Sequence, residues 1–305
     1  MAHALPAAKK MFAAPAERLT MYRVSAAKQG FGTGPWTADV LREQLAARSG
    51  VRPGDILIVH SSMKSIGQVE GGPEAVIRAL QAAVTGEGTL LMPVFTAPAP
   101  DGVWRQAETP SRTGLLTETF RRTAGVVRSL HPTHSAAAWG RRAGEFAAGH
   151  DRTSGLGVGS PFHKAAAAGA GVLMIGCRLP SCSLVHVSEA IVRVPYLGKV
   201  FYAGYDRTLT VIDRRGTRSE RPPADVPTDS AGFTALEDEM ARRGALGRCR
   251  LGAAECLKFS AKACLDLAVE MLRQDPAALL CHNPQCPVCP RARQIIAQEL
   301  PRRKS

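Results

Sequence analysis

The sequence is poor in aromatic residues, which fill 5% of its 305 positions, and it holds no long hydrophobic run. Single-stranded nucleic acid is gripped by aromatic side chains interleaved with basic ones, and no such stripe is present. No stretch nears the ~20 consecutive apolar residues that a spanning helix needs, which excludes an integral helical membrane protein. The start, MAHALPAAKKMFAAPAERL, is basic but lacks the apolar segment of a secretory signal. The expected location is therefore the cytoplasm, where thiols stay reduced. Acidic residues are the scarcer charge, 26 against 39 basic, for a net charge of +13. The surplus is largely terminal: residues 1–30 carry +4, residues 281–305 carry +4, and the body between them +5. Basic ends serve solubility or nucleic-acid contact, and a mildly basic body without aromatic interleaving argues for the first.

What is present is globular composition, 45% hydrophobic and 21% charged, in a chain long enough for a full core. Thr37 is placed to cap a helix over ADVLREQLAARSG, which Gly50 would end. DILIVH (55–60) and TLLMPVF (89–95) are short apolar runs of buried-strand type, joined by a Gly/Ser loop and a helix opening at Pro73. Strand, loop, helix and strand in so short a span predict a βαβ unit with a parallel pair. Further helices are expected over 114–123, 141–150, 161–170, 183–194 and 260–274, and one near 232–242. A third buried strand is expected at 171–177. The segment 201–220 alternates about a turn at Arg214–Gly216 and predicts a hairpin. The expected fold is α/β (α+β): a single domain with a mixed, mainly parallel central sheet flanked by helices, plus an antiparallel hairpin. Its expected limits are a basic extension over 1–30, the catalytic domain over 31–290 and a basic tail over 291–305.

Three constellations bear chemistry. His60, Ser61, Ser62, Lys64, Ser65, Ile66 and Gly67, followed by Gly71 and Gly72, fall between a strand and a helix. Such a loop offers hydroxyls and backbone N–H groups to an anion or a thioester carbonyl; by itself it is also an ordinary connection. Arg128-Ser-Leu-His131-Pro-Thr-His134-Ser135 brings two histidines around a proline. In SLVHVSE, His186 and Glu189 are i and i+3 and share a helix face; a carboxylate beside an imidazole fixes its tautomer for general-base work. Eight cysteines complete the inventory, five of them beyond residue 255. Cys281-His282-x3-Cys286-x2-Cys289, joined by Cys256 or Cys264, has ligands for a tetrahedral zinc; reduced thiols are the alternative, and no metal is expected in the chemistry. A Cys/His knuckle with a basic tail also suits a nucleic-acid module, a reading that leaves the central motifs idle.

In order along the chain, DILIVHSSMKSIGQVEGGPEAVIRAL, GTLLMPVFT, SRTGLLTETFR, VVRSLHPTHSAAAWG, HDRTSGLGVGSPFHKAAAAGAGVLMIGC and SLVHVSEAIVRVPY resemble the aminoglycoside 3-N-acetyltransferase family, the antibiotic N-acetyltransferase fold that is distinct from GNAT enzymes. The resemblance covers about 55–205, with a similar tail to about 290. It implies acetyl transfer from acetyl-CoA to a small-molecule amine by direct attack, without a metal. It implies His186 as general base, Glu189 as its orienting partner and Ser183 as a retained hydroxyl. It further implies that coenzyme A is held by the loop residues above together with Ser160 and Lys164, and that His131 and Ser135 support the site. Where the family usually reads Asn-Thr-x-Leu-His-x-x-Glu, this chain has Cys182, Ser183 and Val185 before the kept His186 and Glu189. An aminoglycoside is a polycation, so a basic body needs local acids to attract it. Glu118, Asp151, Glu189 and Asp206 are the candidates. Relatives that acylate other amines in natural-product metabolism are the alternative, and the oligomeric state is left open.

Overall fold

The structure, a computed structural model, describes residues 35–200, 205–222 and 229–299. The basic extension expected over 1–30 and the last residues of the expected tail lie outside the described residues. Seven strands form the main sheet in the order β4-β5-β2-β1-β6-β10-β9. They are β1 (Ile56–Ser61), β2 (Thr89–Pro93), β4 (Val127–Arg128), β5 (Ala136–Gly140), β6 (Gly171–Ile175), β9 (Gly247–Leu251) and β10 (Ala254–Ser260). The expected βαβ unit is there: β1 runs parallel to β2 across helix α3 (Gly72–Val84), with Leu57 opposite Leu90. β6 joins the other side of β1, also parallel, with Val59 opposite Leu173. The remaining pairings, β2–β5, β4–β5, β6–β10 and β9–β10, are antiparallel. The sheet is mixed as expected, its parallel part confined to the three central strands.

Period-2 alternation sorts the central strands onto two cores. Ile58, Leu91, Val172 and Met174 face one, and Leu57, Val59, Leu90, Leu173 and Ile175 the other. The second core is closed by α1 (Ala38–Arg48), α3 and α4 (Leu115–Arg122), and Thr37 caps α1 by accepting from Val40 N. The first is closed by α5 (Ala143–Ala147), α6 (Pro161–Ala167), α7 (His186–Val192), α8 (Thr234–Arg242), α9 (Ala261–Gln274) and α10 (Cys289–Glu299). Residues 291–299, expected in a tail, thus belong to a helix that buries Ala292 and Ile295. The expected hairpin is β7 (Leu209–Ile212) with β8 (Arg218–Arg221), and β3 (Val103–Arg105) pairs with β7 to make a separate three-stranded sheet. No helix among the described residues is long and apolar enough to cross a membrane.

The chain order makes β1 the switch point of the sheet: it leaves β1 toward β2 and returns on the opposite side at β6. In open α/β sheets the crevice for ligands lies beyond the carboxyl ends of the strands at that point. There β1 runs into the 61–72 loop, β2 into Val94–Thr96 and β6 into Gly176–Arg178.

Candidate active site

The loop after β1 begins with a single helical turn, α2 (Met63–Ile66). Ser65 Oγ donates to Ser62 Oγ at 2.9 Å and lies 3.2 Å from Gly176 O. Gly67 and Gly71 adopt φ of 88° and 74°, a backbone that L side chains resist. Ser61, Ser62 and Ser65 are half-buried and Lys64 exposed, so the turn presents its hydroxyls at the strand ends. Two residues assigned to this loop are buried in the fold. Ile66 is fully buried in the core, and only its carbonyl is used, accepting from Ala253 N. His60 belongs to β1, is 3% exposed, and turns toward the buried Cys182 thiol.

Beside Ser65 lies a cleft of about 670 Å³. Arg48, Arg178, Arg248 and Arg250 line it. Arg178 is paired with Glu237, and Arg250 lies 3.6 Å from Glu255; Arg48 and Arg248 add positive charge to an open wall. The tip of the β9–β10 hairpin is pressed so closely to the α2 turn that a Cβ on Gly252 would come 2.7 Å from Ile66 O. The sequence gives little warning of this cleft, because its arginines come from segments about 200 residues apart.

His186 opens α7 after the turn Ser183–Val185. Its Nδ1 lies 2.7 Å from Glu189 Oε2, and Tyr196 Oη donates to Glu189 Oε1 at 2.9 Å. Burial and the neighbouring carboxylate push the Tyr196 phenol up, so it stays a donor. His186 is 8% exposed and Glu189 1%. The Phe233 ring meets the imidazole edge-on at 4.7 Å. With Nδ1–H given to Glu189, Nε2 is left as the acceptor, the state a general base requires. Ser183, 9% exposed, stands one turn before His186. Tyr196 and Phe233 were missed by sequence reasoning; Tyr196 lies seven residues after Glu189, where only the bend of the chain beyond α7 returns it.

The second histidine motif forms a buried cluster. His134 Nδ1 pairs with Thr133 Oγ1 at 2.9 Å, and its ring sits 4.9 Å from Phe95. His131 Nδ1 accepts from His134 N at 3.0 Å, and its ring stacks on His150 at 4.9 Å. His150 donates Nε2–H to Gly155 O and receives Ser129 Oγ at Nδ1. Burial lowers all three: His150 to about 4, His134 to about 3, and His131 far below its usual range. A proton on His186 or His150 would further disfavour one on His134.

Several expected site residues are engaged in hydrogen bonds or ion pairs within the fold. Ser135 is fully buried, donating to Val94 O and accepting from Arg128 Nε. Arg128 is itself 1% exposed, bonded to the carbonyls of Gln106, Thr109 and Val94 and lying 4.8 Å over the Trp104 ring. Ser160 is buried as the N-cap of α6, accepting from His163 N. Lys164 Nζ donates to the carbonyls of Glu145 and Ala148 at the end of α5. Glu118 grips Arg121 through both oxygens and accepts from Ser111 N. Asp151 is half-buried near Arg221 and His150, and Asp206 is exposed. The cysteines proposed to complete a zinc set lie apart from it: Cys256 faces Cys249 across β9–β10 and Cys264 touches Cys182. His282 is exposed.

A buried histidine–carboxylate pair on α7, a hydroxyl-bearing turn at the switch point of a mixed sheet and a basic cleft beside that turn are the features of a group-transfer enzyme. Comparison with known proteins makes the class specific. The family profile described as aminoglycoside 3-N-acetyltransferase matches residues 58–273. Aminoglycoside N(3)-acetyltransferase VII of Streptomyces paromomycinus is 32% identical over 271 residues, 79% of this chain and 93% of the relative. Aminoglycoside N(3)-acetyltransferase III of Pseudomonas aeruginosa is 30% identical, over 73% of this chain and 89% of its own length. Among solved structures, aminoglycoside acetyltransferase AAC(3)-IVa in complex with a gentamicin matches with a TM-score of 0.76 at 26% identity, over 88% of this chain and all of that one. AAC-IIIb bound to CoASH matches with a TM-score of 0.66 at 26% identity, over 79% and 97%. The chain belongs to the aminoglycoside 3-N-acetyltransferase family and is an acyltransferase.

Proposed function

We propose that this enzyme acetylates the 3-amino group of an aminoglycoside with acetyl-CoA by direct transfer, and that the reaction takes place in the cytoplasm. The observation that carries the reading is the His186–Glu189–Tyr196 relay. His186 Nε2 takes the proton of the attacking amine as the N–C bond forms. Glu189, held by Tyr196, keeps the imidazole oriented and balances its charge. The C–S bond then breaks, and His186 returns the proton to the departing thiolate. Hydroxyls of Ser62, Ser65 or Ser183 and the backbone N–H groups of the α2 turn face the thioester oxygen, where one such donor contributes about 10²–10³ in rate. Arg48, Arg248 and Arg250 take the phosphates of the coenzyme. Domain limits of 31–290 serve this chemistry, with α10 as an added support.

The acceptor has a second reading with its own observation. Of the acids expected to gather a polycation, Glu118 is committed to Arg121. That favours a less highly charged amine. Release of free thiol from acetyl-CoA, followed against a panel of aminoglycosides and simple amines at two salt concentrations, separates the two. Turnover with gentamicin-like or neomycin-like compounds that weakens with salt supports the aminoglycoside. Release with none of them points to the other amine class. His186→Ala, folded yet turning over like the parent, would remove the mechanism whichever acceptor is found.

A further inference from the structure

Asp229 converges on Cys281, Cys286 and Cys289 although it comes from a separate part of the chain. Their ligand atoms all lie within 4.8 Å of one another, and the three cysteines are buried. We propose that these four side chains bind a structural zinc ion. A Zn–S bond of about 2.3 Å sets the edges of a tetrahedron at about 3.8 Å, so the ligands need only a small inward movement. Three thiolates and one carboxylate fill all four positions. No site is left for water or substrate, which makes the centre a closed, structural one and keeps it out of the acyl transfer. The soft sulfur set selects zinc over magnesium or calcium.

A backbone N–H serves one of the sulfurs. Cys289 N donates to Cys286 Sγ at 3.4 Å, folding the Cys-Pro-Val-Cys turn around its first sulfur. Cys289 opens the eleven-residue α10, whose N-terminal end favours negative charge. The site with zinc has a net charge of −2, and Arg293 reaches back to Leu280 O and Cys281 O at 2.9 and 3.2 Å. The fourth ligand is not the neighbouring His282, which the sequence pattern suggests, because that side chain points to solvent. It comes from Asp229, ahead of the turn Ala231–Phe233. That turn is pressed against the cysteine segment: a Cβ on Gly232 would come 2.5 Å from Leu279 O and 2.8 Å from Cys281 N. Zinc would therefore tie α10 and the end of α9 to the turn that sets Phe233 against His186.

Metal analysis of the full chain, purified without added zinc or chelator, tests the proposal. One zinc per chain is expected. It should be released to a chromogenic chelator when a mercurial thiol reagent is added, with a lower Tm for the stripped protein. Cys286→Ser and Asp229→Ala should lose or weaken the metal, while Cys256→Ser and Cys264→Ser should keep it. Should the ligand variants fail to fold, cobalt exchanged into the unmodified protein gives the independent reading, the intense visible absorption of a tetrahedral thiolate site. Absence of stoichiometric metal with all eight thiols free, a disulfide within the trio, or full zinc in a folded Cys286→Ser/Cys289→Ser variant would each overturn it.

Discussion

At the scale of single residues, the site rests on a short relay with one carboxylate at its centre. His186→Ala is expected to lower turnover by at least about 10²-fold while leaving coenzyme affinity near that of the parent, as judged by calorimetric titration with coenzyme A. Tyr196→Phe removes a bond that helps fix Glu189, and a smaller fall in kcat with KM unchanged is expected. Glu189→Gln should displace the pH–rate profile; a profile that superimposes on the parent's would make Glu189 a bystander. Arg128 illustrates a different economy. Its guanidinium is lowered to about 9, chiefly by burial, and its partners are carbonyls and Ser135 Oγ rather than an acid within bonding distance. Arg128→Met would strand those buried acceptors at about 1–3 kcal/mol each, so a large loss in the urea midpoint is expected with little direct effect on chemistry.

At the scale of elements, the α2 turn is the part whose shape is most tightly set. Gly176, at φ 63°, closes against it so that an added Cβ would lie 2.2 Å from Ser65 Cβ. Gly176→Ala should therefore raise the KM for acetyl-CoA more than that for the amine in steady-state kinetics, and an increase confined to the amine would place the loop on the wrong side of the site. The helices were legible where an end signal announces them, as at Thr37 and at Pro161, and the central strands where apolar runs are short and bounded. His186 and Glu189 were legible because i, i+3 spacing is local. The strands β9 and β10 were not, since Arg248 and Arg250 break the apolar run and their turn is only Gly252-Ala253. The intramolecular partners of Ser135, Ser160 and Lys164 were not legible, because a hydroxyl or ammonium in a family-like motif reads the same whether it faces a cleft or caps a helix. Burial and partners decide that, and both depend on contacts distant in sequence. Asp229 stands 52 positions before Cys281, and no local pattern announces it.

At the scale of the molecule, the buried histidines couple folding to pH. His134 and His150 are neutral in the fold and take up protons once unfolded, where their usual value is 6.5. Below pH 6.5 the unfolded chain binds more protons than the folded one. The stability these groups contribute is thus present above pH 6.5 and lost as pH falls toward about 4 for His150 and about 3 for His134. Each contributes a slope of about 1.4 kcal/mol per pH unit in that window. Thermal unfolding followed at pH 7, 6 and 5 should show a falling Tm, and His134→Gln should flatten the slope; equal Tm values across the series would contradict neutral burial. Strand β9 has a bearing on how molecules meet one another. It is the last strand of the main sheet, and Gly247, Arg248 and Arg250 are exposed along it. A bare outer strand invites a neighbouring chain to add its own, and flanking cations discourage such docking. Two of the four arginines that line the cleft, Arg248 and Arg250, thus also guard the rim of the sheet. Neutral apolar replacements there should do double harm, weakening coenzyme capture and opening the rim to self-association.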